Sequence, residues 1–391
     1  MIIEPKIMGN VCLNAHPKGA VGLVEEQIAY AKARPKIAGS KNILIIGCST
    51  GYGLATRIIN AYTHDAVTLG VSFERAGSAD KVGAIGWYNN LAFSVAATRD
   101  GKKEHTISGD AFSQQCKQDT IAEAKKLFGG EKINLVIYSV ASPMRTAPDG
   151  ITYRSVLKPL GTAYKGKTVD IFTGTVSEVE IQPATPEEAL ATVKVMGGED
   201  WSLWIDALLA ADLLAEKALT IAYSYIGPEM TYPLYREGTI GKAKEHLEKS
   251  VTELNEKLAK VKGKAYVSVN KAVVTRASSV IPVVPLYVTV LYKMMKKAGT
   301  HEGCIEQCYR LIERVFTNEV IPVDEEGRIR LDDYEMEEGM QEQIKQLWDR
   351  LSTETLKELA DVEMVRREFM QTNGFEVAGV IYGEDVDPQT I

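Results

Sequence analysis

The chain has 391 residues, 45% of them apolar and 25% charged, a size and balance that suit one large α/β domain with additions or two smaller domains. A net charge of −7 gives no basic surface for nucleic acid or acidic lipid, and the first ten residues lack the apolar core of a signal peptide. Five scattered cysteines (Cys12, Cys48, Cys116, Cys304, Cys308) argue against a disulfide framework and for a reducing, cytoplasmic setting.

The first predicted elements carry the main signal. Ile43-Leu-Ile-Ile-Gly47-Cys-Ser-Thr-Gly51-Tyr-Gly53 is an apolar strand that runs through three glycines into a helix. The apolar run reads as a buried parallel strand, and the glycines let the turn approach a pyrophosphate lying on the amides of the helix N-terminus. The G-x-x-x-G-x-G spacing resembles that of short-chain reductases rather than the G-x-G-x-x-G of the larger dehydrogenase class. A second strand, residues 66–73, ends at Glu74, 21 residues beyond Gly53. A carboxylate there accepts hydrogen bonds from an adenosine ribose and repels a 2′-phosphate, which favours NADH over NADPH, with Arg75 as the opposing neighbour.

Next come a helix near 87–99, a short strand near 104–107, a helix over 113–128 and the strand Asn134-Leu-Val-Ile-Tyr-Ser-Val140. Such alternation predicts a doubly wound parallel sheet covered on both faces, a Rossmann fold of the short-chain-reductase kind. Asp110-Ala111 and Val140-Ala141 follow the third and fourth strands, at the carboxyl edge where open α/β sheets bind ligands. Regularity breaks down over 142–195, which carries five prolines and short β-branched segments such as 168–179; it reads as a small β-rich insertion, either a lid or rim or a surface decoration. A helix over 199–215 and a strand over 219–225 resume the pattern, and the acid pair Glu199-Asp200 is assigned only to the helix dipole.

The segment after that strand, Tyr223-Ser-Tyr225 through Tyr232, Tyr235, Gly238, Gly241, Lys242 and Lys244, concentrates tyrosines and lysines where the cofactor edge is expected. Hydride transfer to one carbon requires an acid for the other and a donor for the developing oxyanion, which a tyrosine beside a lysine supplies. On an unbroken helix Lys242 shares the face of Tyr235 and Lys244 does not, but Gly238 and Gly241 make an unbroken helix a poor expectation. Geometry leaves both lysines open. The apolar run 280–292 is too short to span a bilayer and contains Pro282 and Pro285, so it reads as a core helix or a pocket wall. His301, Cys304 and Cys308 have helical spacing, yet no further ligand pair accompanies them, and no metal is expected. Residues 300–391 read as a helical extension packed on the core. Nothing over 326–391 offers a nucleotide fingerprint, so FAD is not expected.

Ten motifs in order closely resemble the trans-2-enoyl-CoA reductase family and its sister branch, the V-type bacterial enoyl-acyl-carrier-protein reductases. They include Asn10-Val-Cys-Leu-Asn-Ala-His-Pro17, the glycine loop, Gly86-Trp-Tyr-Asn-Asn90, Tyr138-Ser-Val-Ala-Ser-Pro143, Tyr223-Ser-Tyr-Ile-Gly227, Tyr235-Arg-Glu-Gly-Thr-Ile-Gly-Lys-Ala-Lys244 and Asn270-Lys-Ala-Val-Val-Thr275. The resemblance implies a Tyr-x8-Lys pair at Tyr235 and Lys244, leaving Lys242 secondary. By the same resemblance Gly47, Cys48, Ser49, Thr50, Gly51, Tyr52, Phe73, Glu74, Asp110, Ala111, Val140, Ala141, Lys244, Val273, Val274 and Thr275 bind NADH. Tyr225 contacts the substrate thioester carbonyl, and Tyr235 donates the proton. The activity implied is reduction of a trans-2-enoyl thioester, with Tyr235-Arg-Glu-Gly-Thr-Ile-Gly241 similar to the CoA branch and an acyl carrier protein as the alternative carrier; a monomer is implied. A cofactor-binding regulator is disfavoured by the intact Tyr225, Tyr235 and Lys244, and an alcohol-type short-chain dehydrogenase by Thr239, where a Tyr-x3-Lys pattern needs lysine.

Overall fold

The computed structural model describes every residue except Ser40, Val280 and Pro282, so two positions of the 280–292 run lie outside the described residues. The chain opens with β1 (Ile7–Met8), β2 (Val11–Cys12) and α1 (Pro17–Lys32). It continues with β3 (Asn42–Ile46), α2 (Gly51–Thr63), β4 (Val67–Ser72), α3 (Ile85–Arg99), β5 (Glu104–Ser108), α4 (Gln114–Leu127) and β6 (Ile133–Tyr138). The middle holds β7 (Met144–Thr146), β8 (Thr152–Arg154), β9 (Tyr164–Asp170), β10 (Thr175–Ile181), α5 (Pro186–Met196), α6 (Glu199–Ala210) and β11 (Leu214–Ser224). The last part is α7 (Thr239–Leu258), β12 (Lys264–Val269), α8 (Val284–Ala298), α9 (Cys304–Thr317), β13 (Ile329–Arg330), α10 (Glu338–Asp349), α11 (Leu356–Leu359) and α12 (Val362–Gln371).

Seven strands form one sheet in the order β13-β12-β11-β6-β3-β4-β5, and every neighbouring pair is parallel. Strand β3 is buried along its whole length, as its apolar run requires. Its alternate side chains feed opposite layers. Ile43 and Ile45 pack with α1, α2, α3 and α9, whereas Leu44 and Ile46 pack with α4, α6 and α7. The winding reverses between β3 and β6, which opens a crevice at the carboxyl ends of these two strands. A third apolar cluster lies to one side, where α8 is buried by α10, α11, α12 and the antiparallel β9–β10 hairpin.

Three boundaries differ from the sequence reading. The helix expected over 199–215 stops at Ala210 because Asp212 takes a left-handed φ of 54°, and residues from Leu214 already belong to β11. That strand carries a bulge between Leu214 and Leu219, where Lys217 sits at φ 61°. The C-terminal region also supplies a strand, β13, at the edge of the sheet.

The pair Glu199-Asp200 does more than complement a dipole. Asp200 is buried, accepts from Lys117 Nζ at 2.8 Å and from the Tyr138 hydroxyl at 3.1 Å, and so fastens α6 to α4 and β6. Glu199 meets Arg145 at 2.7 Å and Lys194 at 3.1 Å, tying α6 to β7 and α5. No described helix is long and apolar enough to cross a membrane.

Candidate active site

Two glycines shape the cofactor edge. A Cβ on Gly47 would lie 2.1 Å from the Ser139 carbonyl oxygen, and one on Gly53 would lie 1.8 Å from that of Gly47. Only glycine lets β3, β6 and the first turn of α2 approach this closely. Helix α2 begins after Thr50, which gives no side-chain cap, so its first amides stay open toward the crevice. The loop after β12 lies beside them, because a Cβ on Gly51 would sit 3.6 Å from Thr275 Cγ2. Open amides, backbone cradle and adjoining loop fit a dinucleotide pyrophosphate.

Not every residue of the glycine motif faces that crevice with its side chain. Cys48 is fully buried, and the amides of both Gly47 and Cys48 donate to the Val71 carbonyl. Tyr52 turns inward, donating to Gln307 Oε1 at 3.0 Å and stacking near Tyr223. The amides of Gly47 and Cys48 are thus spent on the sheet, unlike those at the start of α2. Glu74 follows β4 and accepts from Ser49 Oγ at 2.6 Å, so the two predicted side chains brace each other. Phe73 is 76% exposed, leaving its ring free as a stacking surface. Asp110 holds its own turn through the Phe112 amide, and the Ala111 carbonyl accepts from Lys117 and Trp204.

The tyrosine segment leaves β11 and turns before α7. The Tyr235 carbonyl accepts from the amides of Gly238 and Gly241, and a Cβ on Gly241 would lie 1.8 Å from the Arg236 carbonyl oxygen. The glycines thus break the helix after Tyr235 and restart it at Thr239, which resets the facing of the two lysines. Lys242 is exposed and pairs with Glu245 at 3.1 Å. Lys244 turns inward and donates to the Tyr223 carbonyl at 3.0 Å, at the carboxyl end of β11. Burial pulls its pKa down to about 8, opposed by the charge of Glu248.

Tyr235 is 7% exposed, and its hydroxyl makes no hydrogen bond among the described residues. Burial raises its pKa, which keeps the phenol protonated. Its ring meets that of Tyr225 edge to face at 4.9 Å. Tyr225 in turn donates to Glu335 Oε1 at 2.9 Å. The pKa of Tyr225 is raised by burial and then by that carboxylate. Sequence reasoning missed Glu335, which follows β13 in a turn with no motif of its own.

Beyond Val273 and Val274 lies a small, mostly apolar cavity of about 20 Å³, room for about one water, with Ile171, Val284, Val288 and Phe369 among its walls. Helix α8 therefore serves both as a core helix and, at its first turns, as a pocket wall. Among the described residues no group of three His, Cys, Asp or Glu side chains could hold a metal ion. His301 instead packs edge-on against Tyr292, and Cys308 lies 3.2 Å from Thr56 Oγ1. All five cysteines are free.

Three family models match the chain in succession. Residues 2–79 match the NAD(P)H binding domain of trans-2-enoyl-CoA reductase, and residues 81–316 its catalytic region. Residues 323–386 match an enoyl reductase FAD binding domain, which runs against the expectation of no flavin. That segment closes two of its helix ends with its own side chains. Glu337 caps α10 through the amides of Gly339 and Met340, and Asp361 caps α12 through that of Met364. Neither of these two helix ends therefore offers open amides to a pyrophosphate. Met340, Ile344, Val365 and Phe369 are spent on the apolar cluster around α8.

Full-length relatives agree with these matches. The Treponema denticola trans-2-enoyl-CoA reductase [NADH] is 53% identical, with 99% of each chain aligned. An enoyl-[acyl-carrier-protein] reductase [NADH] of Flavobacterium johnsoniae is 52% identical over 99% of this chain and 98% of its own. The crystal structure of the T. denticola enzyme in complex with NAD superposes with a TM-score of 0.94 at 52% identity, covering 99% of this chain and 98% of that one. With its catalytic-region match and its half-identical relatives, the chain belongs to the trans-2-enoyl-CoA reductase family.

Proposed function

We propose that this protein is an NADH-dependent oxidoreductase that reduces the C2–C3 double bond of trans-2-enoyl-CoA thioesters, of the crotonyl-CoA to butyryl-CoA kind. The observation that carries the reading is Tyr235, a buried, protonated phenol whose hydroxyl has no partner among the described residues, set in the apolar cluster around α8 with its ring against Tyr225. Bound NADH supplies a hydride, which goes to C3 of the enoyl group. Lys244 holds the nicotinamide ribose, and the amides of Ser49 to Tyr52 take the pyrophosphate. Negative charge then develops on the thioester oxygen, where the Tyr235 hydroxyl opposes it beside Tyr225, whose own proton goes to Glu335, and Tyr235 delivers the proton that ends at C2. The apolar side chains Ile171, Val284, Val288 and Phe369 beyond the Val273 loop are the candidates to move apart for a short acyl chain.

Phe73, Glu74, Asp110, Ala111, Val140 and Ala141 line the adenosine end of this arrangement, and Val273 to Thr275 its nicotinamide end. Glu74 selects against a 2′-phosphate. Glu74→Ala is expected to lower the NADH over NADPH ratio of kcat/KM by about tenfold, an effect of roughly 1.4 kcal/mol. An unchanged ratio, read by initial rates with both cofactors, would remove Glu74 from that role.

The CoA carrier is favoured by the segment from Tyr235 to Gly241; the carrier-protein alternative is favoured by relatives of equal identity bearing that name. The protein is proposed to act in the cytoplasm as a monomer, the whole chain forming one catalytic unit with residues 142–195 at its rim. Following NADH absorbance with crotonyl-CoA, crotonyl-acyl carrier protein and NADPH tests the reading. Rapid oxidation of NADH with the CoA ester is expected, together with a visible spectrum free of flavin bands. Turnover only with the carrier protein moves the function to fatty-acid synthesis. Oxidation with neither substrate overturns it.

A further inference from the structure

Glu335 lies in the turn between β13 and α10, is fully buried, and sits at the junction of four elements. Its Oε1 accepts from the hydroxyls of Tyr225, at 2.9 Å, and of Tyr287 on α8, at 2.8 Å. Its Oε2 accepts from the Ala272 amide at 2.7 Å, in the loop after β12. The neighbouring carbonyl of Ala272 accepts from Lys271 Nζ at 2.8 Å, and Lys271 is itself 2% exposed. Burial raises the pKa of Glu335, and the three donors with Lys271 next door oppose that shift. A carboxylate fixed in this way leaves the phenol that donates to it no rotational freedom.

Tyr225 is also the side chain whose ring edge abuts Tyr235. Its single hydroxyl proton is directed to Glu335, so its position is set by that bond at one end and by the neighbouring ring at the other. The Tyr235 side chain, whose hydroxyl makes no hydrogen bond among the described residues, takes its place from packing. We propose that Glu335 is a positioning residue for the reduction, acting through Tyr225 to hold Tyr235 at the reacting thioester. This inference rests on the enoyl-reductase reading of the site. It gives the C-terminal segment matched to a flavin domain a different task, the delivery of one carboxylate to the tyrosine pair.

The test is a double-mutant cycle of Glu335→Gln with Tyr225→Phe. A carboxamide has a single acceptor oxygen, so it satisfies either the two phenols or the Ala272 amide, not both. In the otherwise unaltered enzyme, E335Q is expected to lower kcat with crotonyl-CoA, or with whichever thioester is reduced, by about tenfold or more. In the Tyr225→Phe background the same change should cost less than twofold. Fluorotyrosine-labelled protein gives a second readout without substrate: the Tyr235 fluorine resonance, assigned by its loss in Tyr235→Phe, should move on E335Q only when Tyr225 is present. Equal losses in both backgrounds, or an unmoved resonance, overturn the proposal in favour of a purely structural carboxylate. If E335Q does not fold, as judged by thermal melting, Glu335→Asp carries the same cycle, since its shorter carboxylate cannot span the amide and the phenols together. Unaltered protein that reduces no thioester sinks the substrate reading alone, because the fluorine resonance needs no turnover.

Discussion

Tyr235→Phe is expected to reduce kcat for crotonyl-CoA by about a hundredfold or more, while leaving the dissociation constant for NADH and the melting temperature near their original values. The size follows from losing the one donor aimed at the developing oxyanion, an interaction of roughly 3–4 kcal/mol. The selectivity follows from the structure. The Tyr235 hydroxyl makes no hydrogen bond that holds the fold, so removing one oxygen leaves the packing of its ring against Tyr225 intact. Stopped-flow reduction, NADH titration by fluorescence and a thermal melt measure the three quantities. A loss below tenfold with cofactor affinity unchanged would take the proton-donor role away from Tyr235.

Lys244→Ala should impair both cofactor binding and turnover, for a combined loss in kcat/KM on the order of a hundredfold, because a charge-assisted hydrogen bond contributes roughly 1.5–3 kcal/mol. Its pH dependence has a definite sign. Burial lowers the Lys244 pKa to about 8, so the ammonium is present below that value and is lost as pH rises through it. NADH affinity should therefore weaken as pH climbs from 7 to 9, through roughly the pKa given by its burial. In Lys244→Ala that slope should disappear. An affinity that stays flat in the unaltered protein, or a slope that survives the substitution, would assign the ribose contact to another group. Lys242, exposed and paired with Glu245, serves as the control: its replacement by alanine should change neither quantity more than twofold.

The cofactor half of the molecule was legible in the sequence because its physics is local. An unbroken apolar strand, three glycines and a following helix define β3, the turn and α2 within 22 residues, and the same alternation carries the reading through β6. The choice between the two lysines was not legible from helical spacing and came only from the family resemblance, since it depends on where the chain breaks between Tyr235 and Thr239. The carbonyls of Tyr235 and Arg236 decide that by crowding Gly241, a contact no helical wheel contains. Glu335 was hidden for a different reason. It follows a two-residue strand too short to show a period, in a charged stretch where one more glutamate carries no signal. The role of Asp200 was masked likewise, because its partner Lys117 lies 83 residues away on another helix.

Strand β13 adds last to the sheet, on the free edge of β12, and it brings Glu335 with it five residues later. A chain emerging from the ribosome completes the nucleotide-binding strands β3 to β6 long before this strand exists. Until residue 330 has been made, β12 presents an open parallel edge, and Ala272 and Tyr225 lack the carboxylate that joins them. The pyrophosphate turn is thus made early in synthesis, while Lys244, the 273–275 loop and Glu335 follow in that order, so the proposed site is complete only once the final fifth of the chain has folded back onto the sheet.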